Sequence, residues 1–284
     1  MMPRNFFVLL QEQWNAGKFV CVGLDTDINR IPTSVPGGNQ WEKIVNFNEK
    51  IIMATHDLVC AYKLNSAFYE AIGAPGLFAL HETVQRIHRV NAEIPVIDDA
   101  KRGDIGNTNN GYIRSIFDYY GFDAVTVNPY VGAEEGIQSF LDQKDKGIII
   151  LVRTSNKGAK EIQDLYVQVD GRAQRLYEVI ARKAAENWNA NGNCCVVVGA
   201  TYPEEFRQTR SIIGDIPVLV PGIGAQGGDL EATVKAGLNS KKQGMIINSS
   251  RGIIFASSGP DYAEAARRET QKLHDAISQV LATI

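Results

Sequence analysis

The residues best suited to chemistry lie in one stretch, residues 94–104, which read Ile-Pro-Val-Ile-Asp-Asp-Ala-Lys-Arg-Gly-Asp. An apolar run ends there in charges of both signs. Side chains two apart on a strand point to the same face, so Asp99 and Lys101 are expected to project together, with Asp104 following after a glycine turn. Two further charges terminate apolar runs: Asp25 closes Val22-Gly-Leu-Asp25, and Lys63 stands within Ala61-Tyr-Lys-Leu-Asn65. Taken singly, each such charge reads as a solvated rim residue. Together Asp25, Lys63, Asp99 and Lys101 form an alternating set that can hold both lysines protonated inside a cavity and surround a substrate with charge.

A second group is suited to an anion. Residues 220–228, Val-Pro-Gly-Ile-Gly-Ala-Gln-Gly-Gly, contain Gly222-x-Gly224-x-x-Gly227 between a strand and a helix. A dinucleotide fingerprint would belong to a first strand–helix turn with an acid about twenty residues on, and residues 244–249 supply none. The same glycines suit a phosphate held by backbone N–H groups after the seventh strand of a barrel. Arg251, in Asn248-Ser-Ser-Arg-Gly252, follows the eighth strand candidate, where a guanidinium can fork onto the same phosphate; the plain alternative is a surface arginine. The four histidines, His56, His81, His88 and His274, all fall in helix candidates. No His/Cys cluster has metal spacing, and neither a Walker loop nor a Gly-x-Ser-x-Gly elbow occurs.

The elements that must position these residues alternate along the chain. Apolar runs at 19–24, 59–64, 95–99, 124–127, 147–152, 194–199, 218–220 and 245–247 read as strands. Segments of helical period at 41–56, 76–90, 112–120, 133–141, 172–189, 204–213, 229–236 and 262–281 separate and follow them. Eight such units without a linker predict a single (β/α)8 TIM barrel over residues 1–284, an α/β fold, with an open doubly wound sheet as the alternative. In a barrel the strand-end charges converge at one mouth. The connections 26–40 and 154–171 are long for such loops and lie at that mouth, either as lids or as plain insertions.

With 284 residues and 44% hydrophobic content, the chain can bury one large core. A formal charge of −3, a pI near 5.9 and the lack of any dense Lys/Arg run argue against a nucleic-acid surface. No 18-residue apolar segment exists to span a membrane, and residues 6–10 are too short for a signal-peptide core. Cys21, Cys60, Cys194 and Cys195 all fall in apolar strand-like runs, as expected of reduced thiols in a cytoplasmic protein. The sequon at Asn248-Ser-Ser reads as chance without a secretory signal.

Asp99-Ala-Lys101-Arg-Gly-Asp104-Ile105-Gly-Asn-Thr108 resembles the Asp-x-Lys-x-x-Asp-Ile-x-x-Thr motif of orotidine 5'-phosphate decarboxylases, in the form of the longer subclass of that family. The resemblance extends over nearly the whole chain and departs from the family in the long loops. It implies conversion of orotidine 5'-phosphate to uridine 5'-phosphate in de novo pyrimidine biosynthesis, with no cofactor and no metal. Lys101, Asp99, Asp104 and Lys63 would be catalytic. Asp25, Ile105, Thr108, Ser155 in Thr154-Ser-Asn, Pro221, Gln226 and Arg251 would bind substrate, with Gly222, Gly224 and Gly227 around the phosphate. The resemblance also implies a homodimer in which Asp104 and Thr108 reach into the neighbouring subunit's site. Two rivals remain open. A metal-binding sugar-phosphate decarboxylase or synthase shares Asp-x-Lys-x-x-Asp but is expected to place an acid soon after the second strand's lysine, and here Asn65-Ser-Ala-Phe-Tyr precedes Glu70. A non-catalytic nucleotide sensor would need neither Asp99 nor Lys101.

Overall fold

The computed structural model describes residues 4–200, 203–223 and 229–284. Eight parallel strands close into a barrel: β1 (Val20–Gly23), β2 (Val59–Leu64), β3 (Val96–Arg102), β4 (Ala124–Val127), β5 (Gly147–Arg153), β8 (Cys194–Val198), β9 (Val218–Pro221) and β10 (Met245–Ser249). Closure comes from β1 pairing with both β2 and β10, through Val20↔Val59 and Val20↔Ile247. These strands are apolar on both faces because one face fills the barrel and the other meets helices. The barrel supersedes the doubly wound alternative, and all eight strand candidates coincide with its strands.

Besides the short helices Ser66–Glu70 and Arg251–Ile254, two larger elements escaped the sequence reading. Helix Phe6–Asn15 precedes β1, with Asn5 accepting from the backbone N–H groups of Phe7 and Val8 as its cap. It buries Phe6, Leu10 and Trp14 under the barrel floor, where the Phe6 ring occupies the space that a side chain at Gly147 would need. The second is an antiparallel hairpin of β6 (Tyr166–Val169) and β7 (Arg172–Arg175), so the helix expected over 172–189 begins only at Leu176. Asp170 and Gly171, with φ of 51° and 74°, make its two-residue turn. All four cysteines are buried free thiols. Among the described residues, no helix is long and apolar enough to cross a membrane.

Candidate active site

The strand-end charges do meet at one mouth of the barrel. Lys63 Nζ stands 3.1 Å from Asp25 Oδ1 and 3.0 Å from Asp99 Oδ2, and Lys101 Nζ stands 2.6 Å from Asp99 Oδ1. The order is therefore Asp25, Lys63, Asp99, Lys101, alternating in sign. Lys63 is nearly enclosed, at 3% exposure, whereas the Lys101 side chain is 47% exposed. Burial works against the Lys63 ammonium, but Asp25 and Asp99 outweigh it and hold the group protonated well above the ordinary lysine range. Burial likewise opposes the Asp99 anion, and Lys63 and Lys101 overcome it, keeping the carboxyl well below its usual range.

Asp99 and Lys101 come together by a different route from simple strand alternation. Asp98 pairs with Val125 and Arg102 with Val127, so Asp99, Ala100 and Lys101 bulge opposite the single residue Thr126. Lys101 takes φ of +50°, a left-handed conformation that costs a non-glycine residue roughly 1 kcal/mol or more. Thr126 holds the bulge: its hydroxyl accepts from Lys101 N–H at 2.9 Å and donates to Asp99 Oδ1 at 3.1 Å. The sequence reading missed Thr126, whose only signal is a hydroxyl in the otherwise apolar run Ala-Val-Thr-Val. It also missed Asp98, which is buried behind the site and accepts from the Ser66 hydroxyl. Burial pushes the Asp98 carboxyl up to about 7, although Ser66 and the Arg102 charge both favour its anion.

Asp104 Oδ1 accepts from Ile105 N–H at 2.8 Å. The buried amide of Asn109 sets its loop, accepting from Asp104 N–H and donating to the carbonyls of Asp104 and Gly136. Ile105 is 61% exposed and Thr108 is exposed as well, so this loop lies at the surface.

On the far side of the mouth, Ser155 follows β5 and packs against Gly199, where a Cβ would come within 2.8 Å of the serine Cβ. Its loop is anchored by Arg153, which is buried at 1% exposure and stands 3.1 Å from Asp164, while Gln163 Oε1 accepts from Thr154 N–H at 2.9 Å. Pro221 ends β9 and its carbonyl accepts from Ala200 N–H; Gly222 follows at φ of 100°, a conformation suited to glycine. Gly224, Gln226 and Gly227 lie outside the described residues. Arg251 opens the short helix Arg251–Ile254 after β10, exposed and, among the described residues, without an ion-pair partner.

Comparison with known proteins completes the picture. The profile of the "Orotidine 5'-phosphate decarboxylase / HUMPS family" matches residues 18–268. The chain is 44% identical over 276 residues to an orotidine 5'-phosphate decarboxylase of Aromatoleum aromaticum, covering 97% of this chain and 99% of that relative. It is 46% identical over 260 residues to the protein of the same name from Ralstonia pickettii, covering 92% and 93%. The solved OMP decarboxylase of Leishmania donovani superposes with a TM-score of 0.79 at 37% identity, over 96% of this chain and 98% of that one. With the barrel, the charged mouth and these full-length matches together, the chain belongs to the orotidine 5'-phosphate decarboxylase / HUMPS family.

Proposed function

We propose that this protein is a carboxy-lyase that converts orotidine 5'-phosphate to uridine 5'-phosphate in pyrimidine biosynthesis, as its relatives are named to do. The observation that carries the reading is the alternating Asp25–Lys63–Asp99–Lys101 array at the barrel mouth. In the reaction the bond from ring carbon to carboxylate breaks, carbon dioxide leaves, and the electron pair stays on the ring carbon. No cofactor delocalises that pair; fixed positive charge beside the carbon stabilises it. Lys101 supplies the charge and then donates a proton from Nζ to the carbon. Asp99 orients Lys101 and is itself kept ionised by Lys63. Because Asp99 is negative, it also crowds the substrate carboxylate before carbon dioxide leaves.

Ser155 serves the pyrimidine, Asp25 binds substrate beside Lys63, and Arg251 with Gln226 and the glycines 222, 224 and 227 serve the phosphate. Phosphate binding remote from the reacting carbon lets its energy drive loop closure and appear in catalysis. The protein acts as a homodimer of single barrel domains in the cytoplasm, each site completed by Asp104 and Thr108 of the neighbour, with Ile105 among the substrate-binding residues. Support for the shared site comes from the exposed Ile105 and Thr108, on a loop bonded through Gly106 N–H to the Glu135 carbonyl, and from the exposed Tyr130 and Val131 a few residues before Glu135.

A direct ultraviolet assay for loss of orotidine 5'-phosphate, run with and without EDTA, tests the assignment. Turnover unchanged by EDTA is expected. Turnover that EDTA abolishes would favour the metal-dependent sugar-phosphate branch, and binding of uridine 5'-phosphate without turnover would favour a sensor.

A further inference from the structure

We infer that Asn48 is a positioning residue for Asp25, acting from the outer helix layer through the Thr26 hydroxyl on one side of it and, by way of Tyr69, the Leu24 carbonyl on the other. The inference rests on the role given to Asp25 above. Helix Gln40–Thr55 turns Ile44, Val45, Phe47, Ile51 and Ile52 inward, and Asn48 is fully buried among them. An amide at such a place costs desolvation and helix propensity, and it persists only where its polar atoms are matched. Here they are. Asn48 Oδ1 accepts from the Thr26 hydroxyl at 2.6 Å, and Nδ2 donates to Tyr69 Oη at 3.0 Å and to Thr83 Oγ1 at 3.2 Å. The Tyr69 hydroxyl in turn donates to the Leu24 carbonyl at 2.9 Å.

Leu24 and Thr26 are the two neighbours of Asp25. Three helices, Gln40–Thr55, Ser66–Glu70 and Ala74–Val90, thus send buried polar side chains to one point of the chain. Thr26, Asn48, Tyr69 and Thr83 are each no more than 1% exposed. Leu24 N–H also donates to the Lys63 carbonyl at 2.8 Å, which fixes the end of β1 against β2. The outcome is a carboxylate delivered 3.1 Å from Lys63 Nζ. Apolar residues would fill this space as well, but a polar set that breaks the local pattern fixes direction, and its hydrogen bonds end on the two residues that flank a reactive one.

A double-mutant cycle decides whether Asn48 works through Asp25. Asn48→Leu removes all three hydrogen bonds at similar volume, and it is expected to lower kcat/KM for orotidine 5'-phosphate by roughly 10- to 100-fold, as for an ångström-scale misplacement. In an Asp25→Asn background the same substitution should cost less than about threefold, because its target is already disabled. A merely structural role would give the same fold loss in both backgrounds and would overturn the inference, as would a loss under about twofold in the parent. If Asn48→Leu does not fold, Tyr69→Phe, which removes the donor to the Leu24 carbonyl and the acceptor of one Asn48 hydrogen bond, enters the same cycle. A crystal structure of either variant gives a readout independent of turnover: the contact of Asp25 with Lys63 should be broken, and its retention refutes the positioning role. A parent protein that fails to consume orotidine 5'-phosphate would refute the functional assignment instead, leaving the crystal structure to decide the role of Asn48.

Discussion

Replacing Asp98 by asparagine should stabilise the protein, and more so as pH rises. The carboxyl is raised by burial from 3.8 to about 7, whereas in the unfolded chain it returns to the ordinary aspartate range. Below pH 4 it is protonated in both states and contributes no pH dependence. Between about pH 4 and 7 only the unfolded state loses the proton, so native stability falls as pH rises through that window and levels off above it. At about 1.4 kcal/mol per pH unit, the native state gives up about 1.5 kcal/mol by pH 5 and on the order of 4 kcal/mol by pH 8. Asp98→Asn keeps the shape and an acceptor for the Ser66 hydroxyl but has no proton to lose. Its advantage over the parent should therefore grow by on the order of 2.5 kcal/mol between pH 5 and pH 8. Urea titrations of both proteins at the two pH values, at one protein concentration, measure this as a widening gap between midpoints. A gap that is the same at both pH values, or that narrows toward pH 8, would mean that Asp98 is ionised in the native protein and would refute the argument.

Lys101→Ala should abolish turnover while uridine 5'-phosphate still binds, since ring and phosphate have other partners; activity within tenfold of the parent would remove Lys101 as the proton donor. Arg251→Ala should sharply lower kcat/KM for the phosphorylated substrate, with partial rescue by added guanidinium, and an unchanged kcat/KM would put the phosphate elsewhere. Mixing inactive Lys101→Ala and Asp104→Ala homodimers should generate about half heterodimers, and roughly a quarter of all sites should then regain activity. Heterodimers verified by native mass spectrometry that stay inactive would refute the shared site.

The sequence exposed the barrel because parallel strands covered on both faces must be apolar runs, and their ends stand out wherever a charge interrupts the run. Asp25, Lys63, Asp99 and Lys101 were legible for that reason. Asp98 was not: the two adjacent aspartates look alike until the bulge sends one toward the lysines and leaves the other buried against Ser66. Thr126 and Asn48 were hidden by their elements, each a polar residue on a largely apolar buried face, where only three-dimensional partners reveal a purpose. The hairpin of β6 and β7 did carry a signal in Asp170-Gly171, but Arg172–Arg175 runs straight into a helix and read as its first turn.

The difference between the two lysines follows from how each is held. Lys63 is enclosed and lies between two carboxylates, so moving its ammonium would take away the ion-pair partner of Asp25 and leave Asp99 with Lys101 alone in a poorly solvated site. That makes it a fixed charge. Lys101 has one carboxylate partner, a half-exposed side chain and a left-handed backbone, so it can swing from Asp99 toward a substrate carbon while the rest of the array stays in place. Asp99 is already compensated by Lys63 when Lys101 leaves. In the proposed role of Lys101 as proton donor, the strained bulge and the Thr126 hydroxyl would aim its side chain without tying its ammonium down.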